Sequence, residues 1–389
     1  MKVSVIGGGL GGLAVASLLA RQGVDVVLHE RASEFGGRAR SQIADGFVFD
    51  QGPHALYLGG PGEAVLRSLG VPLEGKIPEA SGSLALLDGE LRSLPVGMTS
   101  LLGTDLLSMG EKMELGWLLL RLPRIEARSL TGSIGDWIAA NVRSPRGRAL
   151  LHAIVRLSTY TNAPDVLDAK TAIARLQQVT AHDVLYLHGG WQTLADALVR
   201  VAKESGVAFA GEAAALPDAD AVVLALGPKA AHALVPGDRA IEDAMKNAMP
   251  AHASAMQVAL RTLPIPANRF VLGIDRPYYF AVQSLTSRLA PEGSHVVHVA
   301  KYGGDATRAE LEGILDITQP GWRAEVVHAR FLPSLVVAHA IARTFTRPST
   351  PNVHVVGDWV DAEAMLLDTV LATARDVAHR IGKENKHAA

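Results

Sequence analysis

Lys2-Val3-Ser4-Val5-Ile6-Gly7-Gly8-Gly9-Leu10-Gly11-Gly12-Leu13-Ala14-Val15-Ala16-Ser17-Leu18-Leu19-Ala20-Arg21 decides the fold of this 389-residue chain. A short β-branched run ends at Ile6, and beyond the glycine-rich stretch Gly7 to Gly12 an Ala/Leu-rich segment begins, the composition of a buried helix. Gly23 stops that helix, and Val24 to Leu28 is a second apolar run ending at His29-Glu30. The order strand, glycines, helix, strand predicts a βαβ unit. Within it, the glycines of Gly7-x-Gly9-x-x-Gly12 have separate roles. Gly7 permits the tight turn, Gly9 the close approach of a pyrophosphate, and Gly12 close helix–strand packing. Leu10 and Gly11 open the helix, whose first amides offer unpaired donors and a positive dipole end to phosphate. Glu30 lies 18 residues beyond Gly12, where a carboxylate accepts hydrogen bonds from ribose hydroxyls and repels a 2′-phosphate. The pattern identifies a dinucleotide site and leaves NAD and FAD both open.

Working outward, Glu30-Arg31-Ala32-Ser33-Glu34-Phe35-Gly36-Gly37-Arg38 closely resembles the segment that follows the second strand in the phytoene desaturase, protoporphyrinogen oxidase and flavin amine oxidase superfamily. The resemblance implies that Gly36, Gly37 and Arg38, with Arg31 beside them, meet the pyrophosphate of non-covalently held FAD. An arginine suits that role because its planar donors match phosphate oxygens. Phe47-Val48-Phe49-Asp50-Gln51-Gly52-Pro53-His54 is similar to the superfamily's next strand and turn, which places Gly52, Pro53 and His54 near the flavin. His188-Gly189-Gly190-Trp191-Gln192-Thr193-Leu194 resembles its Gly-Gly helix. Ala225-Leu226-Gly227 stands where these enzymes pass the adenine half, marking Ala225 and Gly227. Near the C-terminus, Val355-Val356-Gly357-Asp358-Trp359-Val360 with Met365-Leu366-Leu367-Asp368 resembles the closing FAD signature. There Gly357 and Asp358 would face the ribityl and phosphate region, and the helix start at Met365, Leu366 and Leu367 would aim amides at the isoalloxazine.

These pieces predict an α/β fold: a Rossmann-like FAD-binding domain of the glutathione-reductase type with an inserted α+β substrate domain. The expected boundaries are 1–80, 184–240 and 348–389 for the first and 81–183 and 241–347 for the second. Ser83 to Thr180 reads as mainly helical, Leu101 to Leu122 as one amphipathic helix, and Met256 to Arg330 as several strands.

Composition narrows the chemistry. Thirty-seven basic against 39 acidic residues leave no basic excess for nucleic acid. The chain has no cysteine, which excludes disulfides, thiolate metal sites and cysteine nucleophiles and fits a cytoplasmic protein. His152, His182 and His252 lack metal-ligand spacing, and no lipase elbow or Walker motif occurs. No segment reaches the ~20 apolar residues of a membrane span. Leu115-Gly116-Trp117-Leu118-Leu119-Leu120-Arg121 could touch a membrane surface, although the same pattern more often packs into a core.

The resemblance splits into branches. Amine oxidases carry a lysine on a substrate-domain strand, and Gln257 stands at the comparable place, which argues against amine oxidation. Asp275-Arg276-Pro277-Tyr278-Tyr279-Phe280 and Phe331-Leu332-Pro333 resemble the desaturase side. The expectation is an FAD oxidoreductase of the desaturase kind acting on an apolar, isoprenoid-like small molecule, with oxygen or a quinone as possible electron acceptor. An amine or porphyrinogen oxidase, or a flavin-binding protein without turnover, are the alternatives. No general base is identified; His54, Arg156, Tyr160, Gln257, Tyr278 and Tyr279 are the candidates to line the cavity.

Overall fold

The computed structural model describes residues 1–360 and 364–388. The fold grows from a five-stranded parallel sheet whose spatial order is Ala208–Ala210, Asp25–His29, Lys2–Ile6, Ala221–Leu224, Val353–Val355. Numbered along the chain, that is the order 3-2-1-4-5 of a Rossmann-type sheet. The order reverses beside Lys2–Ile6, so a crevice opens at its carboxyl end, where Gly7 follows. The helix Leu10–Ala20 covers one face of the sheet. It is buried on almost every side because Gln192–Glu204 and the terminal helix Leu366–Ala388 flank it. Shorter helices, Pro228–Leu234 and Arg239–Asn247, close the other face.

A second, mixed sheet of seven strands runs Val326–Ala338, Ala251–Leu260, His295–Tyr302, Tyr278–Val282, Phe270–Gly273, Ser83–Leu87, Glu90–Ser93. Its pairs are antiparallel except Phe270–Gly273 with Ser83–Leu87. Side-chain alternation gives the sheet two unlike faces. Met256, Val258, Leu260, Phe280, Val297 and Val299 pack outward against the helix Arg308–Thr318. Ala255, Tyr279, Ala281, Ala300 and Tyr302 point inward, toward the first sheet's loops.

Three sequence expectations need correction. Ser83 to Ser93 is a hairpin rather than helix, closed by Asp88-Gly89 with φ of 52° and 81°. Such an Asp-Gly pair, with positive φ at both positions, matches the twist of the flanking strands. Leu101 to Leu122 is two helices, Met98–Gly103 and Met109–Arg121, because Ser108 caps the second by accepting from the Glu111 amide. Within the stretch read as strands, Arg308–Thr318 is helical, with Thr307 accepting from the Glu310 amide.

Candidate active site

The glycine loop has the shape its sequence predicts. Gly7 adopts φ 111°, and its amide donates to the His29 carbonyl at 2.8 Å. A Cβ on Gly12 would overlap the Gly7 carbonyl oxygen, whereas one on Gly9 would meet nothing within 4 Å. The loop is thus closed toward the sheet and open on its outer side, the clearance a pyrophosphate needs. No side chain caps the helix that starts at Leu10, which leaves its first amides without a side-chain acceptor. The Glu30 carboxylate accepts from the Gly8 amide at 2.6 Å and the Ala32 amide at 2.8 Å, which fixes it at the strand end. Arg31 is exposed beside it.

The Gly36-Gly37 turn docks directly on this loop, the Gly36 amide donating to the Gly8 carbonyl at 2.8 Å. Arg38 then reaches across the molecule. Its Nη1 donates to Asp358 Oδ2 at 2.7 Å and to the Val337 carbonyl at 2.9 Å. His339 Nδ1 lies 2.8 Å from the other oxygen of Asp358. Burial alone would raise the Asp358 carboxyl, but the Arg38 charge and the His339 hydrogen bond outweigh it and hold it well below the usual range. Gly357 precedes this carboxylate, Ala225 donates its amide to the Ile6 carbonyl, and a Cβ on Gly227 would strike the His339 ring. Residues from both termini therefore meet around one crevice. Met365 and Leu366 stand at the start of the terminal helix, where Asp368 pairs with Arg175 at 2.9 Å and Arg175 also bonds the Met365 carbonyl. Leu367 is half-buried in the first turn.

Facing the crevice is the inner side of the second sheet. Gly52, Pro53 and His54 form the turn between them: a Cβ on Gly52 would press on Leu335, and His54 Nδ1 sits 2.9 Å from the Gly52 carbonyl. The His54 ring lies 4.7 Å from that of Trp191. Five of the six tyrosines, Tyr57, Tyr160, Tyr186, Tyr279 and Tyr302, gather against this face. Burial pushes the phenols of Tyr160, Tyr279 and Tyr302 upward, so they remain neutral donors. Tyr160 closes a helix end with φ 56° and meets Tyr302 edge-on at 6.2 Å. Arg156 lies behind the tyrosines, donating to the Gly273 carbonyl at 2.7 Å. Burial lowers its pKa. Gln257 is completely buried on the inner face, opposite His298 and Arg330. Tyr278 departs from expectation. Its ring packs on the outer face and its hydroxyl donates to Glu310, because neighbours along a strand point to opposite sides.

The model of the family described as flavin containing amine oxidoreductase matches residues 10–382. The chain belongs to that family. Its cofactor is FAD. Among relatives of this family member, the zeta-carotene-forming phytoene desaturase of Myxococcus xanthus is 30% identical over 192 residues, 48% of this chain and 32% of that protein. The 4,4'-diaponeurosporene oxygenase of Staphylococcus haemolyticus is 27% identical over 244 residues, 54% of this chain and 48% of that protein. The chain thus covers less than half the length of each. A solved oxidoreductase from Methanosarcina mazei shares the fold at TM-score 0.74 and 19% identity, covering 97% of this chain and 100% of that one.

In this family member, sequence reasoning missed Tyr57, Tyr186 and Tyr302, as well as His298, Arg330 and His339. Each comes from a strand or turn whose partner is far away in the chain, so only register brings them to the site. Inner-face alternation along Ala251–Leu260 and His295–Tyr302 was the one signal that could have exposed His298 and Tyr302.

Proposed function

We propose that the protein is an FAD-dependent dehydrogenase of the desaturase kind, acting in the cytoplasm on an apolar, isoprenoid-like small molecule. The observation that carries this reading is the wall facing the crevice: alanines, neutral tyrosines and Gln257, with no lysine among its described residues. Resemblance to the desaturase branch supports it. FAD, when bound, supplies the hydride acceptor. The protein's part is to hold it and to exclude water. In this reading Gly7, Gly9, Leu10, Gly11 and Gly12 hold the pyrophosphate, with Gly36, Gly37 and Arg38 beside them. Glu30 and Arg31 take the adenosine ribose side, Ala225 and Gly227 the adenine half. Gly357, Asp358 and Met365 to Leu367 take the ribityl and ring side, with Gly52, Pro53 and His54 across from them. Tyr160, Tyr279 and Gln257 bound the substrate space, and Arg156 braces it from behind. Residues 1–80, 184–240 and 348–389 form the cofactor domain and 81–183 with 241–347 the substrate domain. Oxygen or a quinone would accept the electrons from the reduced flavin.

Anaerobic mixing of the FAD-loaded protein with a panel of isoprenoids and polyenes tests the reading. Bleaching of the flavin absorbance supports it. No bleaching across the panel, with bleaching by amines or protoporphyrinogen instead, replaces it with an oxidase on the same fold.

An apolar substrate has to be collected from where it dissolves, and one helix is suited to collecting it. Met109, Met113, Trp117 and Leu120 lie along one side of Met109–Arg121 and are 65%, 70%, 60% and 59% exposed, while Leu115 and Leu118 turn inward. Among the described residues no helix is long and apolar enough to cross a membrane. We propose that this stripe rests on a membrane surface.

A further inference from the structure

On the inner face of the second sheet, three polar side chains stand in one cross-strand row. Gln257 is paired directly with His298 on one neighbouring strand and with Arg330 on the other. Directly opposed side chains on one face of a sheet lie within contact range of each other. Each of the three carries a buried polar atom with no partner: Gln257 Oε1, His298 Nε2 and Arg330 Nη1. Gln257 and His298 are completely buried, between Ala255 and Ala259 on one strand and Val296 and Ala300 on the other along the same inner face. Protein interiors rarely leave such atoms unmatched, and three in one row ask for a shared partner.

The row's position makes that partner part of the substrate space. One step along the sheet toward the crevice lies the row Tyr279, Ala300, Ala255, Leu332, where alanines leave room beside tyrosine rings. One step the other way, Ala259 and Val296 are sealed by Phe47 and Phe49. From the side, Arg330 Nη2 donates to Gln51 Oε1 at 3.0 Å, and His54 bears on His298 from the same turn. The polar row therefore lies between the tyrosine-lined row and the sealed row beyond it, with Arg330 half-buried at its edge.

Its chemistry is specific. Burial, aided by His54, lowers the His298 pKa to about 3, so the ring is neutral. Gln257 Nε2 lies 3.5 Å from His298 Nδ1, and with that amide as the donor the ring proton sits on Nε2. The row then presents two donors, His298 Nε2–H and Arg330 Nη1–H, and one acceptor, Gln257 Oε1. A carboxylate would find the acceptor repulsive, and a hydrocarbon would leave all three unmatched. A hydroxyl group accepts twice and donates once.

We propose that Gln257, His298 and Arg330 form an anchor for a hydroxyl oxygen, and that the substrate is an isoprenoid-like molecule carrying a terminal alcohol. The proposal rests on the apolar-substrate reading above and names its class more closely. The hydroxyl has two sources, the substrate's own end or an ordered water, and the substrate's is the one assigned.

Equilibrium binding of farnesol and of the matching hydrocarbon, farnesene, to the FAD-loaded protein separates them. Perturbation of the flavin spectrum without turnover serves as readout. The wild type should prefer the alcohol by on the order of a hundredfold, since a buried polar site rejects an analogue lacking its hydroxyl. Gln257→Met and His298→Phe should each collapse that preference while retaining farnesene affinity. Comparing ratios between variants cancels the different aqueous solubility of the two probes. Should one variant fail to fold, as judged by its melting temperature, the other carries the same comparison. Equal binding of the two probes by the wild type overturns the anchor, leaving water as its occupant and the apolar-substrate reading intact. An alcohol preference that survives both substitutions overturns it as well. Binding of neither probe sinks the anchor together with the reading beneath it.

Discussion

At the scale of single residues, the crevice depends on a few atoms that have no room to change. Gly12 is the clearest. A methyl group there would overlap the Gly7 carbonyl, and the obstacle is backbone that cannot rotate away. Gly12→Ala should therefore destabilise the protein by about 3 kcal/mol and purify with little flavin, read as the ratio of visible to ultraviolet absorbance. Gly9→Ala should fold normally, since a Cβ there meets nothing, but should still lose flavin if the open side of the loop is where pyrophosphate sits. Asp358 makes a second, pH-dependent case. Its carboxyl titrates below the unfolded value, so the native state gains stability from its charge above about pH 4, and loses that gain as pH falls toward the folded value. Asp358→Asn should make the acid side of the melting-temperature profile shallower. At neutral pH it should cost about 2 kcal/mol rather than the larger loss of a fully buried pair, because Arg38 is 43% exposed. An acid limb identical in wild type and variant would contradict this.

At the scale of elements, the terminal helix is held at its start by one buried ion pair. Arg175 and Asp368 are 2% and 4% exposed, and Asp368 also accepts from the Gly62 amide at 2.8 Å. Arg175 stacks on Tyr57 at 4.2 Å, so one guanidinium links the helix start to the tyrosine cluster. Removing a single partner strands a buried charge. Arg175→Met should cost about 3–5 kcal/mol, whereas Arg175→Met combined with Asp368→Leu should recover part of that loss in urea unfolding; a double variant as weak as the sum of both singles would refute the coupling. The elements also show what a sequence can reveal. Lys2 to Glu30 and Val353 to Asp358 were legible because glycine geometry is dictated locally, by φ and by clearance. Ser83 to Ser93 was misread because its apolar run suits a helix or a buried strand equally, and only Asp88-Gly89 marks the hairpin. Arg308–Thr318 was hidden by its strand-forming surroundings, although Thr307 and Glu310 carried a capping signal.

At the scale of the whole molecule, the candidate site divides along the same line. The loops proposed for the cofactor were readable as motifs because Gly7 to Gly12, Glu30 to Arg38, Ala225 to Gly227 and Gly357-Asp358 each follow a strand end of the first sheet. The substrate side was not, because strands distant in sequence meet there through register, as Gln257 meets His298 and Arg330. No local pattern announces such a row. The exposed stripe on Met109–Arg121 was half legible: the stretch from Leu115 to Arg121 named the right helix, but two of its leucines, Leu115 and Leu118, serve the core. What remains outside is a stripe set by helical spacing, with Leu102 exposed nearby and Lys112, Arg121 and Arg124 around it. Arg121 stacks on Trp117 at 4.2 Å, which keeps a cation beside the apolar surface. Such a pairing suits the boundary between acyl chains and anionic headgroups. The protein should therefore float with vesicles containing anionic phospholipid and less so with purely zwitterionic ones, since its net charge of −2 offers no general attraction. Met113→Glu with Trp117→Glu should weaken that binding by about tenfold or more without lowering the melting temperature, because both side chains are exposed. Turnover of a substrate presented in vesicles should fall in parallel, while turnover of the same substrate in detergent micelles should not. Equal flotation of wild type and variant would assign the stripe to some other contact.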